Sequence, residues 1–338
     1  MVPAQQGFLQ RWHDRGVKLW FVVYDLLPIL FPQGFPEGAP QGHRRWFEAI
    51  GRFDGLACIS RAVADEVAAQ LAQSRPGRER ALPIGWFHLG ADVVHSQPSF
   101  GLPADAQQVL KALQRRPTFL MVGTLEPRKG HAQTLEAFEQ IWAQGSDANL
   151  AIVGKQGWMV EALVDRLRGH PEHGKRLFWL EGISDEYLEK VYAASTCLIA
   201  ASYGEGFGLP LIEAAQHRLP IIARDIPVFR EVAGEHAFFF ANDKDPTVIA
   251  KAVRAWLDLH RAGRAPSSQA MPWLTWEQSA RHLLDIVLER VQPYRTWLPE
   301  KAIPSASRQA APETKSAPGA SSARPRSGKR KSQKKASH

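Results

Sequence analysis

Short apolar runs alternate with amphipathic segments through the middle of the chain. The runs are TFLMVG, NLAIVG, LFWLEG, TCLIAAS and PIIARD, at residues 118–123, 149–154, 177–182, 196–202 and 220–225. Between the first two, HAQTLEAFEQIW places Leu135, Phe138 and Trp142 on one helical face. A further helical segment, SDEYLEKVYAAS, opens with Ser184, which is predicted to cap it. Strands that are apolar throughout are typical of a parallel sheet buried on both faces. The pattern therefore predicts an α/β fold of repeated strand–helix–strand units.

A shorter version of this alternation precedes the central section. Its strand-like runs are VKLWFVVYD, GLACIS and IGWFHLGAD, and its helical segment is RAVADEVAAQLAQ. A stretch rich in Pro, Gly and Gln at residues 98–108 is the predicted linker between the two sections. We predict an N-terminal domain at 1–105 and a second domain at 106–300. Because the first has fewer units, we expect it to be incomplete at its N-terminus.

The end of the chain divides into a helix and a tail. The segment TWEQSARHLLDIVLERV begins with a capping-box pattern at Thr275 and Gln278, which predicts a terminal helix. From 301 to 338, Ser, Ala, Pro, Lys and Arg dominate without apolar periodicity, so we predict a disordered tail.

Most of the positive charge lies in that tail. Ten of its residues are basic and one is acidic, so that the overall charge of +8 leaves residues 1–300 near neutral at −1. The tail lacks interleaved aromatic residues and a folded domain that could recognise a nucleic-acid sequence, so we expect no specific nucleic-acid binding. A weak contact with an anionic membrane is the preferred hypothesis.

The other bulk features indicate an ordinary globular protein. The two cysteines, Cys58 and Cys197, lie inside apolar strand-like runs and are predicted to be buried core residues. The longest apolar run is broken by Asp25 and Pro28, and neither a signal peptide nor a membrane span is recognised. We therefore expect a cytoplasmic protein, with peripheral contact at the inner face of the cytoplasmic membrane as a hypothesis.

The stretch SYGEGFGLPLIEAAQHRLP, residues 202–220, is the first candidate site. It follows a predicted strand, where ligands of open α/β sheets bind. Gly206 and Gly208 allow the backbone to approach a ligand, and Pro210 suits the first position of a helix whose N-terminus favours an anion. Glu213 is predicted in the first helical turn, facing the same crevice as Glu205. Spacing alone explains Glu213 equally well as compensation of the helix dipole.

The second candidate is GTLEPRKGH, residues 123–131, which follows another predicted strand. Its adjacent cations, Arg128 and Lys129, suit a diphosphate, because Arg makes bidentate contacts and Lys supplies a compact charge. The alternative is two solvated residues in a turn. Both clusters in one domain point to a nucleotide diphosphate.

These motifs carry a family resemblance. GTLEPRKG, IVGKQGW, EGISDEYLEKVYAAS, EGFGLPLIEA and PIIARDIPVFREVAGEHAFFF together resemble the retaining glycosyltransferases of family 4, the glycosyl transferases group 1. The resemblance implies the GT-B fold, in which two Rossmann-like domains face a cleft. Glu205 and Glu213 match the family's Glu-x7-Glu motif. The segments FVVYDLLPILFP, ISRAVADEV and LGADV resemble members that build lipopolysaccharide O-antigen, many of them mannosyltransferases.

The resemblance also implies roles for individual residues. The catalytic set is Glu205 against the transferred sugar, with Arg128 and Lys129 on the donor diphosphate. The donor-binding candidates are Gly123, Thr124, Phe207, Gly208, Leu209 and Glu213, the last on the nucleotide ribose. The acceptor-side candidates are Tyr24 and Asp25. Many relatives have Arg at the position of Thr124 and His at that of Tyr24.

The implied reaction moves a sugar, with mannose favoured, from a nucleotide-diphosphate donor to a glycan or lipid-linked acceptor with retention of configuration. GDP-mannose is the favoured donor, and neither a cofactor nor a metal is expected. Charge on the leaving phosphates would be stabilised by the two cations and a helix N-terminus.

Two alternatives stay open at this stage. One is a metal-dependent transferase that uses Asp243 and Asp245 as an Asp-x-Asp motif, although Asp before a helix is a common cap residue. The other is a non-catalytic nucleotide-sugar-binding remnant or partner subunit that lacks a complete acceptor domain. The tryptophans Trp158, Trp273 and Trp276 are interpreted as packing residues in preference to sugar platforms.

Overall fold

The computed structural model describes residues 2–74, 78–92 and 97–299. The predicted disordered tail at 301–338 lies outside these residues. The chain up to Pro299 forms one compact unit that contains two sheets. The predicted domain boundaries at 105 and 300 stay predictions.

The first sheet has four strands. Its parallel members are β1 (Trp20–Val23), β2 (Gly55–Cys58) and β3 (Leu82–Trp86), and β10 (Arg295–Trp297) pairs antiparallel with β3. Its helices are α1 (Val2–His13), α2 (Leu27–Leu30), α3 (Ala39–Ile50) and α4 (Arg61–Ser74). The last helix of the described chain, α12 (Trp276–Val287), also packs against β2 and β3. The chain thus returns to the first sheet after completing the second, which the sequence pattern did not indicate.

The second sheet has six parallel strands. They are β4 (Thr118–Val122), β5 (Asn149–Val153), β6 (Leu177–Leu180), β7 (Cys197–Ala200), β8 (Ile221–Arg224) and β9 (Phe238–Phe240), in the spatial order β6-β5-β4-β7-β8-β9. Its helices are α5 (Ala106–Gln114), α6 (His131–Ala143), α7 (Glu161–Gly169), α8 (Asp185–Ala194), α9 (Leu209–Gln216), α10 (Pro227–Ala233) and α11 (Pro246–Arg261). The predicted strand–helix alternation is confirmed.

One apolar cluster joins the two sheets. It contains Ala57 and Phe87 from the first sheet's side and Leu120 and Phe207 from the second. Ile286 of α12 belongs to the same cluster. This shared core holds the end of the second sheet against the first, at the place where the candidate turns lie.

The predicted helix caps and the predicted burial of both cysteines are confirmed. Ser184 caps α8 by accepting from the amide of Tyr187, and Thr275 forms a capping box with Gln278 at α12. Both cysteines are free and buried. No helix within the three described segments is long and apolar enough to cross a membrane.

The predicted start of α9 is wrong by one residue. Gly208 is the N-cap with φ of 100°, so Leu209 is the first helical residue and Pro210 the second. The helix dipole acts most strongly on the first turn, and Glu213 consequently lies beyond that turn. Charge compensation at the helix N-terminus therefore does not explain Glu213.

Candidate functional site

The two candidate turns lie side by side. The cationic turn (residues 123–130) leaves the end of β4 and the glycine turn (residues 201–208) leaves the end of β7, and β4 and β7 are paired neighbours. The amide of Tyr203 donates to the carbonyl of Arg128 at 2.8 Å, which ties the turns together. The parallel topology therefore brings the predicted cations and Glu205 to one edge of the sheet.

Glu205 is the centre of a compact ion cluster. Its Oε1 lies 2.6 Å from Lys129 Nζ and accepts from Ser202 Oγ at 2.6 Å, while its Oε2 lies 3.1 Å from Arg128 Nη1. The Arg128 guanidinium also donates to the carbonyl of Gly204 at 3.2 Å. Both cations are about one-sixth exposed, at 15% and 16%, so a ligand can approach them from solvent.

Two carboxylates beside these cations have pKa values shifted in opposite directions. Burial raises the pKa of Glu205, but Lys129, Arg128 and the hydroxyl of Ser202 outweigh it and hold that pKa below its usual value. For Glu126, burial outweighs the two cations, and its pKa is raised. Glu126 Oε2 lies 2.9 Å from Arg128 Nε, in an ion pair whose geometry falls short of a hydrogen bond. Glu205 is therefore the carboxylate for which the site is built to hold the charged form.

His131, the first residue of α6, lies behind the cluster. It is buried, and burial together with the charge of Lys129 lowers the pKa of its imidazole to about 3, so it is neutral. It lines a cavity of about 20 Å³ shared with Lys129, Ser202 and Glu205, which has room for roughly one water molecule. Neither His131 nor Ser202 was assigned a role from the sequence, although both lie in the two candidate stretches.

The glycine turn is pressed against the first sheet's side of the molecule. A Cβ at Gly206 would lie 2.1 Å from the main-chain oxygen of Tyr24, and one at Gly204 would lie 2.7 Å from Leu27 Cδ2. These contacts leave no space for a side chain. The turn is therefore rich in glycine because other backbone and side chains already pack against it.

The amides predicted to bind a diphosphate stand at the end of the glycine turn. Within the described residues, the N–H groups of Phe207, Gly208 and Leu209 donate to no protein acceptor. They stand at the N-terminus of α9, where unpaired amides and the helix dipole favour an anion. The ring of Phe207 points into the core, 5.1 Å from the ring of His88.

The remaining donor candidates are at two places. Gly123, with φ of 139°, faces the Lys129 side chain, and Thr124 is exposed beside it. Glu213 lies on α9 and accepts from the hydroxyl of Tyr192 at 2.8 Å. The hydrogen bond orients the Glu213 carboxylate, and its assignment to a ribose stays a prediction.

The acceptor-side candidates lie next to the glycine turn. Tyr24 presents an exposed ring (59%) while its carbonyl touches Gly206. Asp25 accepts from the amide of Leu27, the first residue of α2, at 3.0 Å. Ser60 donates to the carbonyl of Gly206 at 2.8 Å, which fixes the turn from the other side. Tyr24 and Asp25 thus lie beside the glycine turn that carries Glu205, and their acceptor-side role stays a prediction.

The comparison with known families now decides the identity of the central section. Residues 104–270 match the family described as glycosyl transferases group 1. This section is a glycosyl transferases group 1 domain. It contains both candidate turns, their ion cluster and the six-stranded sheet.

Curated relatives of the glycosyltransferase domain extend the likeness into the first sheet. The chain is 51% identical over 269 residues to the serotype-specific mannosyltransferase WbdA of Escherichia coli, a match that covers 78% of this chain and 33% of that protein. It is 27% identical over 183 residues to the O-antigen chain mannosyltransferase B of Escherichia coli, covering 51% and 47% of the two chains. The chain thus spans about a third of the length of the first of these relatives.

Solved structures show the fold. Sucrose-phosphate synthase from Thermosynechococcus elongatus superposes with a TM-score of 0.60 at 21% identity, covering 82% of this chain and 70% of that one. HepE from Anabaena in complex with UDP and glucose superposes with a TM-score of 0.56 at 15% identity, covering 81% and 70%. The two-sheet arrangement around the glycosyltransferase domain is the GT-B fold.

A buried arginine supports the glycine turn from below. Arg224, at the end of β8, donates from Nε to the carbonyl of Ala201 at 3.0 Å and from Nη1 to that of Asp243 at 2.7 Å. Its guanidinium also bonds Gln133 and lies 4.1 Å from the ring centre of Tyr203. No sequence motif pointed to Arg224, although a charged residue inside a buried strand was the available signal.

The two aspartates of the alternative Asp-x-Asp motif accept hydrogen bonds from nearby backbone amides. Asp245 caps α11 by accepting from the amide of Thr247, and Asp243 Oδ1 accepts from the amide of Asp245. Within the described part of the chain, no group of three or more His, Cys, Asp or Glu side chains could hold a metal ion. The two aspartates form turn and cap contacts, as the cap interpretation predicted.

Glu231 links the two sheets and was not singled out from the sequence. Glu231 of α10 accepts from the amides of Arg61 and Ala62 at the start of α4, at 2.7 and 2.8 Å. His88 Nε2 lies 2.8 Å from the same carboxylate. Although burial raises the pKa of Glu231, the bonds from His88, Arg61 and Ala62 hold it below the usual value. The glycosyltransferase domain is thereby pinned to the first sheet.

Proposed function

We propose that this protein is a retaining glycosyltransferase that moves a sugar, with mannose favoured, from a nucleotide-diphosphate donor to a glycan or lipid-linked acceptor. The observation that carries the proposal is the cluster of Arg128, Lys129 and Glu205 beside the unpaired amides at the start of α9. The family of the domain and its O-antigen mannosyltransferase relatives support it.

The cluster suits the leaving group of such a reaction. When the bond between the sugar's anomeric carbon and the phosphate oxygen breaks, the bonding electrons leave with the nucleoside diphosphate. Arg128, Lys129 and the α9 N-terminus can stabilise this charge, so the proposal needs neither a metal nor a cofactor. The acceptor oxygen attacks the same face of the sugar, and its proton passes to the departing phosphate.

Glu205 has different partners before and after donor binding in this scheme. In the structure it is paired with both cations, which a donor diphosphate also needs. On donor binding the diphosphate takes over the cations, and Glu205 becomes an acceptor for sugar hydroxyls. This exchange keeps both cations paired in each state and gives the Glu205 carboxylate hydrogen-bond donors in place of the cations.

The first test is thermal stabilisation of the protein by GDP, UDP and ADP measured in parallel. A ligand at a hundred times its dissociation constant stabilises by about 2.7 kcal/mol, and we expect GDP or UDP to do so. Lys129→Ala should abolish the shift, whereas Lys111→Ala, an exposed cation on α5, should preserve it. An equal shift in the Lys129→Ala protein contradicts the proposed diphosphate contact.

The second test is turnover. The protein is incubated with GDP-mannose and a mannose-terminated acceptor, and released GDP is measured. Acceptor-dependent GDP release supports the enzyme. Donor binding without release favours a non-catalytic nucleotide-sugar-binding protein or a partner subunit.

The membrane contact is proposed on charge alone. The ten basic residues of the tail would bind anionic vesicles with about 1 kcal/mol each near the surface. Deletion of residues 301–338 should reduce vesicle binding at low salt, and unchanged binding refutes the role.

A further inference from the structure

A recess separate from the cation cluster lies on the other side of Phe207. It encloses about 220 Å³ between the end of β3, the helices α9 and α10, the 272–274 segment and α12. At about 30 Å³ per water molecule, this is the room of roughly seven waters. The recess therefore accommodates a group of the size of one sugar ring with its hydroxyls.

Aromatic side chains form two of its walls. Trp86 and Trp273 both line the recess. Trp86, at the end of β3, is half-buried, and Trp273 is 42% exposed. The Trp86 ring is held in place by its neighbours His88, at 5.1 Å, and Tyr294, at 6.4 Å. A large exposed indole beside a recess offers a flat apolar face that solvent does not favour. The packing role predicted for Trp273 thus leaves part of the residue exposed to solvent.

Polar groups at the floor and rim can bind hydroxyls. Glu231 Oε1 accepts two hydrogen bonds, from Arg61 N and His88 Nε2, but Oε2 accepts only one, from Ala62 N. A carboxylate oxygen can accept two, so Oε2 has one position left. Because the carboxylate can only accept, His88 donates from Nε2, and in neutral His88 Nδ1 remains an acceptor. His282 at the rim adds an exposed imidazole.

We propose that this recess is a saccharide subsite that binds one pyranose ring of a glycan, apart from the donor site. The apolar C–H face of a pyranose packs against an indole, and its hydroxyls suit the acceptors around Glu231 and His88. This combination of aromatic walls with a few convergent polar groups is typical of ligand sites. The choice of a mannose glycan as the ring's source rests on the proposed function, whereas the subsite itself does not.

The subsite is connected to the donor turn through one side chain. Phe207 lines the recess with its ring, 5.1 Å from His88, while its amide stands at the start of α9 beside the cation cluster. A glycan held in the recess therefore contacts the turn that is proposed to bind the donor. The recess and the proposed donor site thus share the glycine turn, which each would contact from a different side.

The test is binding of a mannotetraose to the full chain by isothermal titration calorimetry, with maltotetraose as the comparison sugar. We expect Trp273→Ala to weaken binding at least tenfold and His282→Ala to weaken it about threefold. The matched control is Trp276→Ala, because Trp276 is 50% exposed on α12 but is absent from the lining. Circular dichroism and melting temperature confirm that each variant is folded.

The outcomes separate this proposal from the donor site. Trp273→Ala should leave the GDP-induced thermal shift unchanged, and Lys129→Ala should leave mannotetraose binding unchanged. Failure of GDP to bind with normal saccharide binding contradicts only the proposed function. The subsite is overturned if the parent chain binds neither oligosaccharide, or if Trp276→Ala weakens binding as much as Trp273→Ala. Equal affinity for both sugars supports a pyranose subsite and removes the preference for mannose.

Discussion

The cationic turn and the glycine turn occupy the ends of neighbouring strands, yet they are held in different ways. The cationic turn is fixed within the second sheet's side, by a 3-10 helix at Pro127–Lys129, by Gly130 with φ of 74° and by the hydrogen bond from Tyr203 to Arg128. The glycine turn is fixed from a distance, by Tyr24 and Ser60 on the first sheet's side. The first turn supplies charge and the second supplies shape. Substitutions in the two should therefore fail for different physical reasons.

The largest effect on stability and turnover is expected at Glu205, which lies in the glycine turn and pairs with both cations of the cationic turn. Glu205→Gln removes the buried partner of Lys129 and leaves Arg128 with Glu126 alone, and breaking a buried pair in this way costs about 3–5 kcal/mol of unfolding free energy. Turnover should fall at least a hundredfold. The affinity for GDP should not fall, because the two cations no longer have a competing carboxylate. Denaturant unfolding, product release and GDP titration measure the three quantities.

Acidity provides an independent check on Glu205. Its folded-state pKa is lowered, so its stabilising contribution is present above the ordinary carboxyl pKa and is lost as pH falls through the lowered value. The unfolding free energy of the Glu205→Gln protein should lack this part of its dependence on pH. Glu189→Gln, at an exposed position of α8, should unfold with the parent's acid dependence. A Glu205→Gln protein that is as stable as the Glu189→Gln protein would show that the cluster contributes nothing to folding.

Gly206→Ala tests shape without changing any charge. Its new methyl group would lie 2.1 Å from the Tyr24 carbonyl oxygen, so the turn or the first sheet must shift. Overpacking of this kind costs about 1–3 kcal/mol. Because the shift displaces the amides after Gly206, GDP affinity and turnover should fall together, unlike in Glu205→Gln.

The matched control is Gly42→Ala, in α3. A Cβ there meets nothing within 4 Å, so alanine should stabilise the helix by up to about 1 kcal/mol. Wild-type GDP affinity in Gly206→Ala would mean that contact with the first sheet does not position the turn.

The same distinction explains how much the sequence could predict. The strands, the caps at Ser184 and Thr275, and the meeting of Arg128, Lys129 and Glu205 follow from local patterns and from the rule that parallel strand ends share an edge. Those features depend on contacts within a few residues or on one topological rule. They could be predicted because each pattern has few alternative structures.

Long-range features could not be predicted in the same way. The return of β10 to β3, the bond from Glu231 to the start of α4, and the contact of Gly206 with Tyr24 join residues far apart in sequence. Nothing in the local pattern specifies such a partner. Gly206 and Gly208 did signal a close approach, but the approaching group was predicted to be the ligand, and the structure places the main chain of Tyr24 and the side chain of Phe229 there.

The smallest effect is expected at Glu126, which shares the cations with Glu205 but differs in its electrostatics. Burial raises its pKa despite Arg128 and Lys129, so at neutral pH its ionised form costs stability that is recovered as pH falls through the raised pKa. Glu126→Gln removes that cost along with one ion pair to Arg128. We therefore expect its unfolding free energy to change by less than about 1 kcal/mol, toward higher stability. A loss as large as that of Glu205→Gln would mean that the two carboxylates support the cations equally, and that the cluster does not single out Glu205 as the charged partner.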